Sequence, residues 1–381
     1  MRIGLDCTPL LGRRSGIGTY TLHLLEALVD RYPHDEFAAT AFTWNGRREL
    51  AQAVPPGVTV ASRPVPARLL RQAWQLTERP RIEDLAGRLD VFHATNFLMP
   101  PVRRAAGVVT IHDLAYLRFP ETVSAATLAY RELVPKGLAR VGAVVVPSRA
   151  VADQVLDAYA VDPASVVVTH EGVDPVWGAT APKTPDALRQ WGIAEDFLVV
   201  VGTLEPRKNL PRLLAAYTAA LRDDLDLPQL VIVGGQGWGD ALDLTGVPDG
   251  QVVTPGHLPW ADLRGVVASA RALLFPSLDE GFGLPPLEAL ACGTPVLAAD
   301  IPVLREVLGD QALFVPPLDV EAIAAGIADV TAAPVGTATT RRSVAASRPS
   351  RCSGASSTRS EEAGSEGWVL TRPRDRRWSA A

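Results

Sequence analysis

Short β-branched or apolar runs alternate along this chain with longer stretches of helical periodicity, and no other feature narrows the fold as far. Parallel strands cannot be joined by a tight turn, so such alternation is the signature of βαβ units whose sheet is covered on both faces. In the first half, strands are predicted at Ile3 to Cys7, Phe37 to Thr43, Val58 to Ser62, Val91 to Ala94, Val108 to Ile111, Ala143 to Val146 and Val166 to Thr169. In the second half they are predicted at Leu198 to Val201, Leu230 to Val233, Val252 to Thr254, Ala272 to Phe275, Pro295 to Ala298 and Ala312 to Val315. The two sets are comparable. A length of 381 residues exceeds what one core usually organises, and an apolar content of 47% suffices for two.

Two Rossmann-like α/β domains are therefore expected. Gly172 to Pro185, rich in Gly, Pro, Ala and Thr, reads as the linker between a domain over residues 1–175 and another over 176–333. From about Pro334 the periodic apolar residues give way to Ser, Arg, Gly, Ala and Thr. Such a segment has too little apolar surface to offset its ordering entropy, so residues 334–381 are expected to be an atypical, disordered tail.

A formal charge of −5 argues against a protein held on nucleic acid by its overall field. Cys7, Cys292 and Cys352 are odd in number and far apart, with no CxxC pair, and read as free thiols in a reducing compartment. The N-terminus lacks a charged-then-apolar leader, and no stretch reaches the roughly 20 apolar residues needed to span a bilayer. A cytoplasmic location is the expectation. Arg68 to Arg88 mixes Leu69, Leu70, Ala73, Trp74 and Leu76 with five arginines, in the manner of a basic amphipathic helix. Such a surface can lie on anionic lipid, which adds peripheral contact with the inner face of a membrane as a reading beside that of an ordinary surface helix.

The segment with the most chemistry is Glu280-Gly281-Phe282-Gly283-Leu284-Pro285-Pro286-Leu287-Glu288, after the strand Ala272 to Phe275. Pro285 and Pro286 suit the first turn of a helix, where their missing N–H groups would have had no internal partner. That places Glu280 in the loop and Glu288 one turn into the helix. The free amides of a helix start suit a diphosphate, and an ionised carboxylate can accept two hydrogen bonds from a ribose diol. Read structurally, the same residues are only a turn and a helix whose Glu complements its own dipole. A second segment, Gly202-Thr203-Leu204-Glu205-Pro206-Arg207-Lys208-Asn209, follows the strand Leu198 to Val201, with Asn209 expected as the N-cap of the next helix. Arg207 and Lys208 at the carboxyl end of a parallel strand point to the crevice where open α/β sheets bind ligands, and could neutralise a leaving diphosphate.

These two segments, the glycine loop ending Ser15-Gly16-Ile17-Gly18, and Ile111-His112-Asp113 together resemble family 4 of the retaining glycosyltransferases, over roughly residues 1 to 330. The resemblance implies a GT-B fold, two Rossmann-like domains facing a central cleft, with the acceptor in the first and a nucleotide-diphosphate sugar in the second. It implies that Glu288 holds the donor ribose, that Glu280 contacts hydroxyls of the transferred sugar, and that Arg207 and Lys208 bind the diphosphate. Backbone around Gly202, Phe282, Gly283 and Leu284 would approach the donor, Gly16 would close over it, and His112 would lie beside the anomeric centre. Members of this kind need no metal or cofactor. The acceptor would be a glycan, a glycolipid or a small molecule. The Gly16-Ile17-Gly18-Thr19-Tyr20 loop is similar to those of mannosyl- and rhamnosyltransferase-like members, which favours GDP-mannose over UDP-glucose and dTDP-sugars.

Gly16-Ile17-Gly18-Thr19-Tyr20-Thr21 nearly spells a dinucleotide fingerprint, but Thr21 replaces the third glycine and the strand Phe37 to Thr43 lacks a terminal acidic residue. Gly234-Gly235-Gln236-Gly237 reads as a turn at a strand end. Asp224-Leu225-Asp226 has the form of a metal-binding Asp-x-Asp but reads as a solvated turn, and His93, His170 and His257 as isolated structural histidines. Two alternatives stay open: a nucleotide-sugar 2-epimerase of the same fold, and an inactive donor-binding remnant, because residues 334–381 do not supply the final helix with which such proteins cross back onto the first domain.

Overall fold

The computed structural model describes residues 1–12, 15–223, 226–238 and 242–332, with the two-residue strands Trp368–Val369 and Ser379–Ala380. The first lobe is built on β1 (Arg2–Asp6), β2 (Glu36–Thr40), β3 (Thr59–Val60), β4 (Val91–Ala94), β5 (Ala106–Thr110), β6 (Ala143–Val146) and β7 (Val166–Val168), in the order β3-β2-β1-β4-β5-β6-β7. The second is built on β8 (Phe197–Val201), β9 (Gln229–Val233), β10 (Val252–Gly256), β11 (Ala272–Phe275), β12 (Val296–Ala299) and β13 (Leu313–Val315), in the order β10-β9-β8-β11-β12-β13. Pairing is parallel throughout both sheets. Each anticipated run carries a strand, and the largest contraction, at Thr59–Val60, is in an edge strand paired on one side only.

Both chains of strands run outward from the centre and then return to its other side, reversing between β1 and β4 and again between β8 and β11. Loops at the carboxyl ends of those central strands diverge and leave a crevice, the usual ligand position in such sheets. The two loops singled out above, after β8 and after β11, both sit at the second lobe's reversal. Each sheet buries an apolar layer on either face. On the side of the helix Gly16–Arg31, however, Val108, Ala143, Val145 and Val167 are only half-buried and face open space, whereas Val144 and Val146, one residue out of phase, are fully buried.

Local conformation follows residue chemistry. Ser15 caps the helix Gly16–Arg31 by accepting from the Gly18 amide. The helix Leu284–Cys292 starts from Gly283, at a φ of 99° that disfavours side chains, and stops at Gly293. A methyl on Gly234 would lie 1.7 Å from the Gly202 carbonyl oxygen, so the glycine after β9 serves close packing of the adjacent strand ends. The stretch read as a linker is not wholly loose: Trp177 buries itself in the second lobe's core, edge-on to Trp260. The tail and Asp224-Leu225 lie outside the described residues, apart from the antiparallel pair of short strands.

Candidate active site

The loops after β8 and β11 are tied together by backbone. Leu278 N–H donates to the Arg207 carbonyl (2.9 Å), and Arg207 Nη1 donates to the Asp279 carbonyl (2.6 Å). Asn209 stands at the expected N-cap position of the helix Leu210–Asp223, its carbonyl accepting from the Leu213 amide (3.1 Å), but its side chain does not cap: Oδ1 accepts from Arg212 Nη1 (3.0 Å). The residue adopts a left-handed φ of 60° and is almost fully buried, and its side-chain amide donates to the carbonyls of Pro276 (3.0 Å) and Pro317 (2.6 Å). Serving the buried Pro276 carbonyl and the part-buried Pro317 carbonyl fixes the Asn209 side chain away from the helix amides.

This scaffold brings Arg207, Lys208 and Glu280 into one largely buried cluster. Arg207 Nη1 lies 2.8 Å from one Glu280 oxygen and Lys208 Nζ 2.7 Å from the other, while Arg207 Nη2 donates to Glu205 at 2.7 Å. Burial alone would raise the Glu280 pKa, but Arg207 and Lys208 outweigh it and hold the group at about 2. Burial opposes the Arg207 charge, yet Glu280 and Glu205 leave its pKa above the ordinary range. Two cations thus face two carboxylates. Glu280, expected against sugar hydroxyls, has both oxygens engaged by the residues expected to take the diphosphate.

The first lobe meets this cluster directly. Gly281 presses so closely on His112 that a methyl there would lie 1.8 Å from the His112 carbonyl oxygen, and Ser148 Oγ donates to the Gly281 carbonyl (2.9 Å). Arg118 of the first lobe pairs with buried Asp279 of the second (2.5 Å), and Glu306 accepts from the amides of Arg149 and Ala150 at a first-lobe helix start. His112 is itself buried, its ring edge-on to Tyr20 and Phe97. Its Nε2 is 2.8 Å from the Thr95 carbonyl, which can only accept, so that nitrogen carries a proton and Nδ1 is left facing Glu171 Oε1 at 3.8 Å.

Beyond His112 a hollow of about 1250 Å³ opens between the lobes, lined among others by Tyr20, His23, Leu24, Glu171, Leu284 and Glu288. Burial, with the Glu171 charge adding to it, pushes Glu288 up to about 8. Glu288 and Leu284 therefore border open space, whereas Arg207, Lys208 and Glu280 lie in the packed loops, with His112 and Glu171 linking the two regions. Of the other expected residues, Gly202 abuts the Lys208 stem and Phe282 packs buried beside the His170 ring. Gly16 opens the helix after β1 with free space where a side chain would be. Pro285 and Pro286 leave Gly283 and Leu284 as the free amides of their helix start, a smaller anion cradle than four amides would give. His93, read as structural, is bonded to Thr110 (2.8 Å), with burial lowering its pKa to about 4, and it also lines the hollow.

Sequence reasoning passed over Glu205, Asp279, Glu171 and Arg118. Glu205 stands within a quoted segment and carried a usable signal, since adjacent cations in a crevice need carboxylates when desolvated. Asp279, beside Glu280, is pushed up to about 7 by burial against the opposing pull of Arg118. Glu171 stands just before the stretch read as a linker and Arg118 ends the short helix Ala115–Arg118, and neither carried a signal.

The family described as Glycosyltransferase Family 4 matches residues 14–177, and the family described as Glycosyl transferases group 1 matches residues 186–345. The chain is 29% identical over 355 residues to the O-antigen chain mannosyltransferase B of Escherichia coli, covering 86% of this chain and 90% of that one. It is 28% identical over 342 residues to the D-inositol 3-phosphate glycosyltransferase of Thermobifida fusca (strain YX), covering 78% and 77%. Its fold is similar to that of a sucrose-phosphate synthase from Thermosynechococcus elongatus, with a TM-score of 0.63 at 19% identity over 87% of this chain and 90% of the other.

Proposed function

This chain belongs to family 4 of the glycosyltransferases, and from that premise we propose that it moves a hexose, mannose in the favoured reading, from a nucleotide-diphosphate donor onto a glycan, glycolipid or small-molecule acceptor with retention of configuration. The observation that carries the reading is the largely buried Arg207–Lys208–Glu280 cluster at the second lobe's strand reversal, pressed through Gly281 against His112 of the first lobe.

Departure of a nucleoside diphosphate builds negative charge on phosphate oxygen and positive charge on the sugar ring. Arg207 and Lys208, fixed before the reaction by their bonds to Glu280, meet that charge without reorganising. Glu280 then has the place of a balancing anion that shares its cations with the diphosphate, the second lone pair of each oxygen being left to accept from sugar hydroxyls. Glu288 takes the ribose at the edge of the hollow, and His112 presents Nδ1 toward the sugar. The departing phosphate can take the acceptor proton on the same face, so no covalent nucleophile is required. Mannose is supported by the mannosyltransferase named above and by the glycine loop after β1.

A thermal-shift screen against GDP-, UDP- and dTDP-sugars tests the donor, since a ligand bound only by the folded state raises its melting temperature. GDP-mannose is expected to give the largest shift. A larger shift with a UDP-sugar would overturn the mannose assignment, and a rearranged nucleotide sugar formed from donor alone would replace transfer by epimerisation.

A further inference from the structure

The first-lobe side of the hollow carries a carboxylate that no hydrogen-bond donor of the described residues serves. Glu171 follows β7 with its side chain 13% exposed, and its one ion-pair contact among the described residues is His112 Nδ1 at 3.8 Å, beyond hydrogen-bond reach. Neighbouring polar groups are committed elsewhere: the Tyr20 hydroxyl is bonded to Thr110 Oγ1 (3.1 Å), and His170 Nε2 to Glu306 (3.0 Å). Burial, with the Glu171 charge adding to it, pushes Tyr20 up to about 12 and Glu288 up to about 8, so Glu171 acts on groups of both lobes.

The other acids on this lining have local work or belong to the second lobe. Asp162 accepts from the Ala164 amide (3.0 Å) and Asp174 from the Val176 amide (2.9 Å), while Glu288 stands on the helix Leu284–Cys292. Desolvating a carboxylate that accepts nothing is unfavourable, and a ligand that brings a donor recovers the loss. A hydroxyl is such a donor. A phosphate or carboxylate group is not, and would meet the Glu171 charge with no first-lobe Lys or Arg on the lining to offset it, since Arg264 belongs to the second lobe's helix Trp260–Ser269.

Resting on the transfer reading above, we propose that Glu171 selects and orients the acceptor by accepting a hydrogen bond from a hydroxyl of an uncharged sugar. In that reading Arg207, Lys208, Glu280 and Glu288 of the second lobe are spent on the donor, and Glu171 is the acid that the first lobe adds beside His112, on the acceptor's side. An acidic group is rejected at the same place by the same charge.

Mannose and mannose 6-phosphate are titrated by calorimetry into the full-length parent, E171Q and E171A, each with and without GDP. The GDP-loaded parent should prefer mannose by tenfold or more. E171A should lose at least tenfold in mannose affinity while keeping the parent's melting temperature and GDP affinity. E171Q keeps an oxygen that accepts but drops the charge, so it should bind the two sugars within about threefold of each other, a change that a merely structural role would not produce. A parent that binds neither sugar or prefers the phosphate, an E171A that binds mannose as the parent does, or a preference for mannose kept in E171Q would overturn the proposal. A parent that binds mannose through Glu171 but takes no GDP would instead count against the transfer reading and leave Glu171 assigned to a sugar hydroxyl.

Discussion

Replacing Glu280 by Gln keeps the shape of the cluster and removes the carboxylate that both cations share. Arg207 would retain Glu205 at 2.7 Å and the Asp279 carbonyl at 2.6 Å, but Lys208 would lose its charged partner and keep a neutral amide oxygen and its position over the Phe275 ring, 4.7 Å from the centroid. Breaking a buried ion pair costs about 3–5 kcal/mol, and the partners that remain to Arg207 bring the expected loss to about 2–3 kcal/mol. At roughly 2–4 °C per kcal/mol, the melting temperature should fall by about 4–12 °C. Glu280 is held at about 2 against a usual 4.5, so its contribution is complete above pH 4.5, and the gap between parent and variant should close as pH falls toward 2. A nucleoside diphosphate brings the missing negative charge. Glu280→Gln should therefore be stabilised by GDP more than the parent is, with a tighter Kd, while sugar transfer is lost. Differential scanning fluorimetry with and without GDP reads both effects. A melting temperature within a degree of the parent, together with unchanged GDP stabilisation, would refute the idea that Glu280 and the diphosphate share these cations.

Glu288 gives a pH dependence of opposite sense. With its pKa raised to about 8 from 4.5, the unfolded chain ionises first, so the ligand-free protein should lose stability as pH rises from 4.5 to 8, and Glu288→Gln should flatten that slope in thermal melts. A ribose diol donates best to the ionised carboxylate, so donor affinity by calorimetry should rise through pH 8 in the parent and stay level in Glu288→Gln. Gly281→Ala would drive a methyl into the His112 carbonyl and part the two loops. It should lower turnover tenfold or more with GDP affinity retained, and an unchanged turnover would show that the contact is not needed.

The fold was legible because parallel strands buried on both faces read as continuous apolar runs, as in Leu-Val-Val-Val at 198–201 and Ala-Leu-Leu-Phe at 272–275. Strand ends were less so, since Thr59–Val60 is limited by having a single partner strand. Arg207, Lys208 and Glu280 could be picked out as charged residues in loops after such runs. Their mutual pairing could not, because it joins positions 73 apart and depends on how two loops cross at the strand reversal. The place of Asn209 before its helix was legible but the work of its side chain was not: the carbonyls of Pro276 and Pro317 take its amide and Arg212 takes its oxygen, instead of a helix amide. Trp177 hid in a stretch whose Gly and Pro content suggests a loose linker, and only packing shows it as core. Glu171 and Arg118 gain meaning only from the approach of the two lobes.

The most direct measurement is calorimetric titration of GDP and of guanosine into the parent and into R207A/K208A. If the two cations hold the diphosphate, the parent should bind GDP at least a hundredfold more tightly than guanosine, and the double variant should bind the two alike. A double variant that keeps the parent's preference for GDP would contradict the account.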